Sequence, residues 1–231
     1  MSNNPNQNDP PASQGRGVAR RLGLKGATGD QYYHRALKNF EAHNLDDALA
    51  DISEAIYYSR QNPDYYTTRG LFFIEMERRQ EAEQDLLYAL RLNRRQGLAR
   101  YGLGMLRFSE GDYDAAMAEF EEALKVPGAR RAEVHFFLAV TRHQLGDDIR
   151  ALQDIDRALQ LFPANDKRLK DARAWRKEIE GQVPEAVRKA SKPAKKPKAT
   201  KKDTGKFDST EKQAKPDKKG SASKLPPPAG S

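Results

Sequence analysis

Residues 101–127 read YGLGMLRFSEGDYDAAMAEFEEALKVP, and the fold is decided in this stretch. Ala116, Phe120, Ala123 and Leu124 stand at offsets of 0, 4, 7 and 8, along one face of an α-helix. Gly104, twelve residues before Ala116, puts a small residue on a preceding helix. Between the two helices Gly111-Asp112 supplies a stop and a capping side chain for the next start. The same spacing recurs as Ala48-Ile52-Ala55-Ile56, Ala82-Leu86-Ala89-Leu90 and Ala151-Ile155-Ala158-Leu159, with first alanines 34, 34 and 35 residues apart. Ala36, Gly70 and Ala139 repeat the place of Gly104. A helix pair of this size cannot bury its apolar face alone, so neighbouring pairs must stack. The pattern predicts an all-α chain of nine helices with no sheet.

The third unit resembles the tetratricopeptide repeat family in Tyr101, Leu103-Gly104, Phe108, Gly111-Asp112-Tyr113, Ala116, Phe120, Ala123 and Pro127. The fourth resembles it in Leu138-Ala139, Gly146-Asp147, Ala151, Ile155, Ala158 and Pro163. The first two units depart from the pattern. Arg35 and Arg69 stand where the family has an apolar residue, which predicts looser packing, and their turns are read at His43-Asn44 and Arg78-Arg79. The resemblance covers about residues 29–165 and implies a right-handed superhelix of four helix-turn-helix repeats, at 29–62, 63–96, 97–131 and 132–165. Leu169, Ala172, Trp175 and Ile179 form an apolar stripe among lysines and arginines. This predicts a capping helix over 166–180, closing a domain at 29–180, with Trp175 in packing and Gly181 and Pro184 as terminators.

In the family, the first helix of each repeat lines a concave groove that binds protein or peptide partners. Carried over by position, the groove residues are Tyr33, Leu37, Phe40 and Glu41, then Thr67, Leu71, Ile74 and Glu75. The third repeat gives Tyr101, Met105, Phe108 and Ser109, and the fourth Phe136, Val140, His143 and Gln144. The set is apolar and aromatic. It therefore reads either as a site for an apolar peptide or helix, or as side chains packed between adjacent helices. Some members grip a peptide's terminal carboxylate with lysine, asparagine and arginine. The matching positions here are Tyr33, Leu37, Thr68, Leu98 and Gly102, which lack the charge that such a grip needs and argue against heat-shock chaperone tails.

Charge divides the chain. Residues 31–165 hold 17 basic and 22 acidic side chains, and residues 166–231 hold 20 basic and 9 acidic. Residues 1–28 are rich in Asn, Pro, Gly and Gln and read as a disordered arm, in which Val18, Leu22 and Leu24 sit among Arg20, Arg21 and Lys25. That stretch reads as a flexible arm, as a docking segment, or as one that folds back into the chain's own groove. Residues 181–231 read as a disordered tail rich in Lys, Pro and Ala, unable to form a core. Lys195, Lys196, Lys198, Lys201 and Lys202 are its candidate polyanion-binding residues, through counterion release. Phe207 is the tail's one aromatic residue, so it offers little for base stacking.

Several classes are disfavoured. With 0 cysteines there is neither disulfide nor thiolate metal site. Gly102-Leu103-Gly104 follows no strand and lacks the rest of a dinucleotide fingerprint. His135 and His143 are eight residues apart, too far to chelate one ion. No catalytic, cofactor or metal residue is expected, and the chain reads as a non-enzyme. No apolar run approaches a membrane span, and the first residues lack a secretory signal core, so a soluble cytoplasmic protein is expected. The leading expectation is an interaction scaffold binding an apolar peptide or helix. The alternative is a nucleic-acid-associated adaptor that uses the tail.

Overall fold

The computed structural model describes residues 28–127 and 130–185. The N-terminal arm through residue 27 and the tail from residue 186, including its five candidate lysines, lie outside them. Among the described residues every regular element is a helix. In chain order they are α1 (Gly29–Glu41), α2 (Leu45–Tyr58), α3 (Pro63–Glu75), α4 (Arg79–Leu92), α5 (Gly97–Ser109), α6 (Tyr113–Leu124), α7 (Arg131–Gln144), α8 (Asp148–Leu161) and α9 (Leu169–Gln182). Each helix packs on the next, and α3, α5, α7 and α9 also touch in succession. The odd-numbered helices thus form one layer and the even-numbered helices the other.

The turns inside the four pairs share one geometry. The N–H of Asn44, Arg78, Asp112 and Asp147 donates to the carbonyl of Asn39, Phe73, Arg107 and Arg142, at 2.9, 2.8, 3.0 and 2.8 Å. That bond requires a left-handed residue just before the donor. Gly111 and Gly146 supply it at φ of 78° and 79°, whereas His43 and Glu77 adopt φ of 60° and 59° with side chains attached. The second turn therefore lies at Glu77-Arg78, one residue before the position read from sequence. The backbone holds the phase of Gly111 even where no glycine marks it. The predicted caps form, with the Asp112 and Asp147 carboxylates accepting from the N–H of Ala115 and Arg150 at 3.1 and 3.2 Å.

Small residues face large ones where the helices of a pair meet. A Cβ on Gly104 would sit 2.5 Å from the Phe120 ring, and one on Gly70 would sit 2.8 Å from Leu86. The other repeats place Ala36 with Ile52 and Ala139 with Ile155 at these positions, all fully buried. Glycine is used where the opposing side chain takes the extra volume.

Arg35 and Arg69 do not loosen the first two repeats. Arg69 grips Asp85 through Nε and Nη2 at 2.6 and 2.9 Å, with both residues buried. Arg35 makes the same two-pronged pair with buried Asp51, Nε lying 2.6 Å from Oδ2. Glu119 and Asp154 occupy the equivalent places in the later repeats. Arg100 holds Glu119 at 3.0 Å, while His135 Nδ1, at 2.9 Å, and Arg142 hold Asp154. Every pair of helices is thus clamped by a carboxylate of the second helix and a base of the first.

The cap forms with one difference. Trp175 is buried with Leu169, Ala172 and Ile179, and Arg176 reaches Asp156 of α8 at 2.5 Å. Gly181 lies inside the last turn. A Cβ there would meet nothing within 4 Å, and the helix spans Leu169–Gln182 instead of 166–180, ending two residues before Pro184.

Three stability outcomes follow. Gly104→Ala should lower stability by about 1–3 kcal/mol, and combining it with Phe120→Ile should cost less than the sum of the single changes, read by urea unfolding. Asp85→Ala, which strands a buried guanidinium, should cost about 3–5 kcal/mol, whereas Arg78→Ala at the exposed Glu81 pair should cost at most about 0.5 kcal/mol. Glu77→Gly should instead stabilise, by about 1 kcal/mol, by relieving the left-handed backbone.

Candidate partner-binding groove

The layer of odd-numbered helices opens into a groove enclosing about 230 Å³ between α1, α3 and α5. Amphipathic spacing puts Tyr33, Leu37 and Phe40 of α1 one turn apart on the wall. Leu71 and Ile74 of α3 and Leu98 and Met105 of α5 complete an apolar floor. These side chains are half-buried, in contact with the core below and open above. Glu41 and Glu75 sit exposed on the rim, and Arg130 enters at the α7 end.

Aromatic stacking fixes the wall. Phe40 stacks on Phe72 with centroids 4.3 Å apart and rings 10° from parallel, and Tyr33 stacks on Tyr65 at 5.2 Å. Thr68 Oγ1 donates to the Tyr33 hydroxyl at 3.4 Å. The Tyr65 hydroxyl donates to Asp30 at 2.5 Å. Burial, with the Asp30 carboxylate adding to it, pushes the Tyr65 phenol up to about 12, so it stays protonated and keeps this bond at neutral pH. The hydroxyls of the wall are thus engaged with one another or with α1, and most of the open surface is hydrocarbon.

The structure gathers Tyr33, Phe40, Leu71, Ile74, Tyr101 and Met105 around one groove and places the other four candidates elsewhere. Tyr101 lines the wall only by its edge, since its ring is buried 5.9 Å from Phe137. Thr67 is fully buried and donates to the Pro63 carbonyl at 2.9 Å. Phe136 is fully buried against Phe137, and Phe108 packs edge-on to Tyr113 and Phe137. His143 meets the Trp175 ring at 5.9 Å and pairs with Asp148. The fourth repeat is withdrawn because α9 docks beside it as a further odd-layer helix. Phe72 and Arg130 were not anticipated. Arg130 arrives from the α6–α7 connection, whose path no periodicity encodes.

The positions that hold a carboxylate in some family members carry Tyr33, Leu37, Thr68 and Leu98 here, all on the groove, with Gly102 buried beneath Leu71. Among the described residues no group of three or more His, Asp or Glu side chains could hold a metal ion. No helix among them is long and apolar enough to cross a membrane.

Sequence and structure comparisons agree with this architecture. A sequence model of the tetratricopeptide repeat matches residues 67–130 and again 107–166. No curated protein matches the chain. Among solved structures, PilF of Pseudomonas aeruginosa is similar with a TM-score of 0.60 at 15% identity, over 67% of this chain and 68% of that one. A tetratricopeptide repeat protein from Parabacteroides merdae gives 0.57 at 20% identity, over 74% and 66%. The Cut9–Hcn1 hetero-tetramer of the APC/C gives 0.61 at 19% identity, over 74% of this chain and 34% of that one. At these identities the likeness is one of fold. The repeat period, the shared turn geometry and the match over residues 67–166 together make this chain a member of the tetratricopeptide repeat family.

Proposed function

We propose that the protein is a non-enzymatic interaction scaffold whose groove between α1, α3 and α5 takes an apolar segment of a partner protein, helical or extended. The carrying observation is the half-buried floor of Leu71, Ile74, Leu98 and Met105, walled by Tyr33, Leu37 and Phe40. Apolar surface of this kind, open to water in a concave site, is stabilised by covering it with apolar side chains, at about 25 cal/mol for each Å² removed from water. The acidic rim adds selectivity. Glu41 and Glu75 favour basic residues flanking the apolar anchors, and Arg130 is the basic side chain of the groove lining.

The reading is tested with the full chain on an array of peptides about four helical turns long. Peptides with apolar anchors at helical or alternating spacing and flanking Lys or Arg should be retained. Leu71→Glu and Met105→Glu, each adding a charge to the floor, should weaken retention about tenfold or more with helical content unchanged by circular dichroism. Retention that depends on a free peptide C-terminus, or that survives both substitutions, would sink the reading.

A further inference from the structure

Several arginines of the repeats are engaged by carboxylates, as at Arg35, Arg69, Arg100, Arg107 and Arg142. Arg60, Arg91, Arg94 and Arg95 are exposed and form no ion pair among the described residues. They share one edge, where the α2–α3 and α4–α5 connections lie side by side. Gln96 of the second connection donates to the Asp64 carboxylate at the start of α3, which ties the two connections together. The Tyr66 hydroxyl donates to the Arg60 carbonyl at 3.1 Å, and its ring meets Tyr88 at 4.5 Å.

The edge alternates cations with rings. The Arg91 guanidinium lies 5.1 Å from the Tyr88 ring centre, and that of Arg60 lies 5.8 Å from Tyr57. Stacking on a ring fixes a guanidinium plane and leaves its N–H edge to donate, the arrangement that suits phosphate oxygens. Tyr57 and Tyr58 meet edge to face at 5.8 Å and remain 41% and 51% exposed. The opposite edge has the other sign, with Asp46 and Asp47 after one turn and Glu110, Asp112 and Asp114 around another. An approaching polyanion is therefore steered to the arginine side.

We propose that this edge binds single-stranded nucleic acid, with Arg60, Arg91, Arg94 and Arg95 contacting successive phosphates and Tyr57 and Tyr58 stacking bases. Base stacking gives the two exposed rings a role that an acidic peptide would not give them. The Lys-rich tail lacks rings apart from Phe207, so the edge supplies the stacking surface that the tail does not. The site lies at helix ends, apart from the groove floor, and stands independently of the groove reading.

The test is fluorescence anisotropy of the full chain with a labelled oligouridylate of about 20 nucleotides, with inorganic polyphosphate and polyglutamate as competitors. Replacing all four arginines by Gln should weaken binding about tenfold or more and flatten the log–log salt dependence by about 2 to 3, the tail remaining in place. Tyr57→Ser/Tyr58→Ser should weaken oligouridylate binding at least about fivefold and leave polyphosphate competition unchanged. Tyr58 stacks on buried Tyr32, so Tyr57→Ser alone, expected to give a smaller loss of the same kind, guards against a folding effect. Oligouridylate affinity unchanged by the four-arginine variant would overturn the proposal. So would a tyrosine variant that binds like wild type while the arginine variant loses polyglutamate or anionic-vesicle binding equally, which would assign the edge to an acidic peptide or a membrane.

Discussion

Everything in this molecule depends on two helices approaching closely enough for a large side chain to rest on backbone. At Gly104 the Phe120 ring occupies the volume a Cβ would need, and at Gly70 Leu86 does so. Once the helices are this near, a carboxylate on the second is carried out of water and needs a base on the first. Asp51, Asp85, Glu119 and Asp154 each find one. A slipped pairing would leave a buried carboxylate facing hydrocarbon, several kcal/mol worse. Apolar packing supplies the attraction, and the ionic clamps select the register.

The stacked pairs hold two hydrophobic clusters, and α5 belongs to both. Its Ala99, Leu103 and Leu106 pack with the first two repeats, while Tyr101 packs with the last two and the cap. A third face of the same helix offers Leu98 and Met105 to the groove. The groove is therefore a consequence of the seam. It lies between α1, α3 and α5 and closes toward the C-terminal end, where Trp175 packs beside His143 and Phe136 is sealed in.

The fold was largely legible because its determinants are local and periodic. Offsets of 4, 7 and 8 and the Gly-Asp turns act within a few residues of each other, so the chain displays them directly. The second turn was misplaced by one residue because Glu77 adopts a left-handed backbone with no glycine to mark it. The site was legible in part. Tyr33, Phe40, Leu71, Ile74, Tyr101 and Met105 meet in the groove, whereas Thr67 and Phe136 share their helical phase class yet face inward. Sequence position gives the side of a helix to within one residue step of rotation, and a step of that size separates floor from core.

By itself the sequence determined the repeat, the turns inside the pairs to within one residue, the small-to-large pairing at each contact and the absence of thiol chemistry. Each of these follows from residues near one another in the chain or from composition. Only the tertiary structure decided that Arg35 and Arg69 brace the repeats, that the groove spans three repeats instead of four, and that Arg60, Arg91, Arg94 and Arg95 share one edge with Tyr57 and Tyr88. The clamps and the groove contacts join residues on different helices, such as Arg69 with Asp85, 16 positions apart, and Tyr33 with Thr68, 35 apart. Which of them meet is set by how neighbouring pairs rotate as they stack, a rotation fixed by side-chain volume across the interface and written in no single segment.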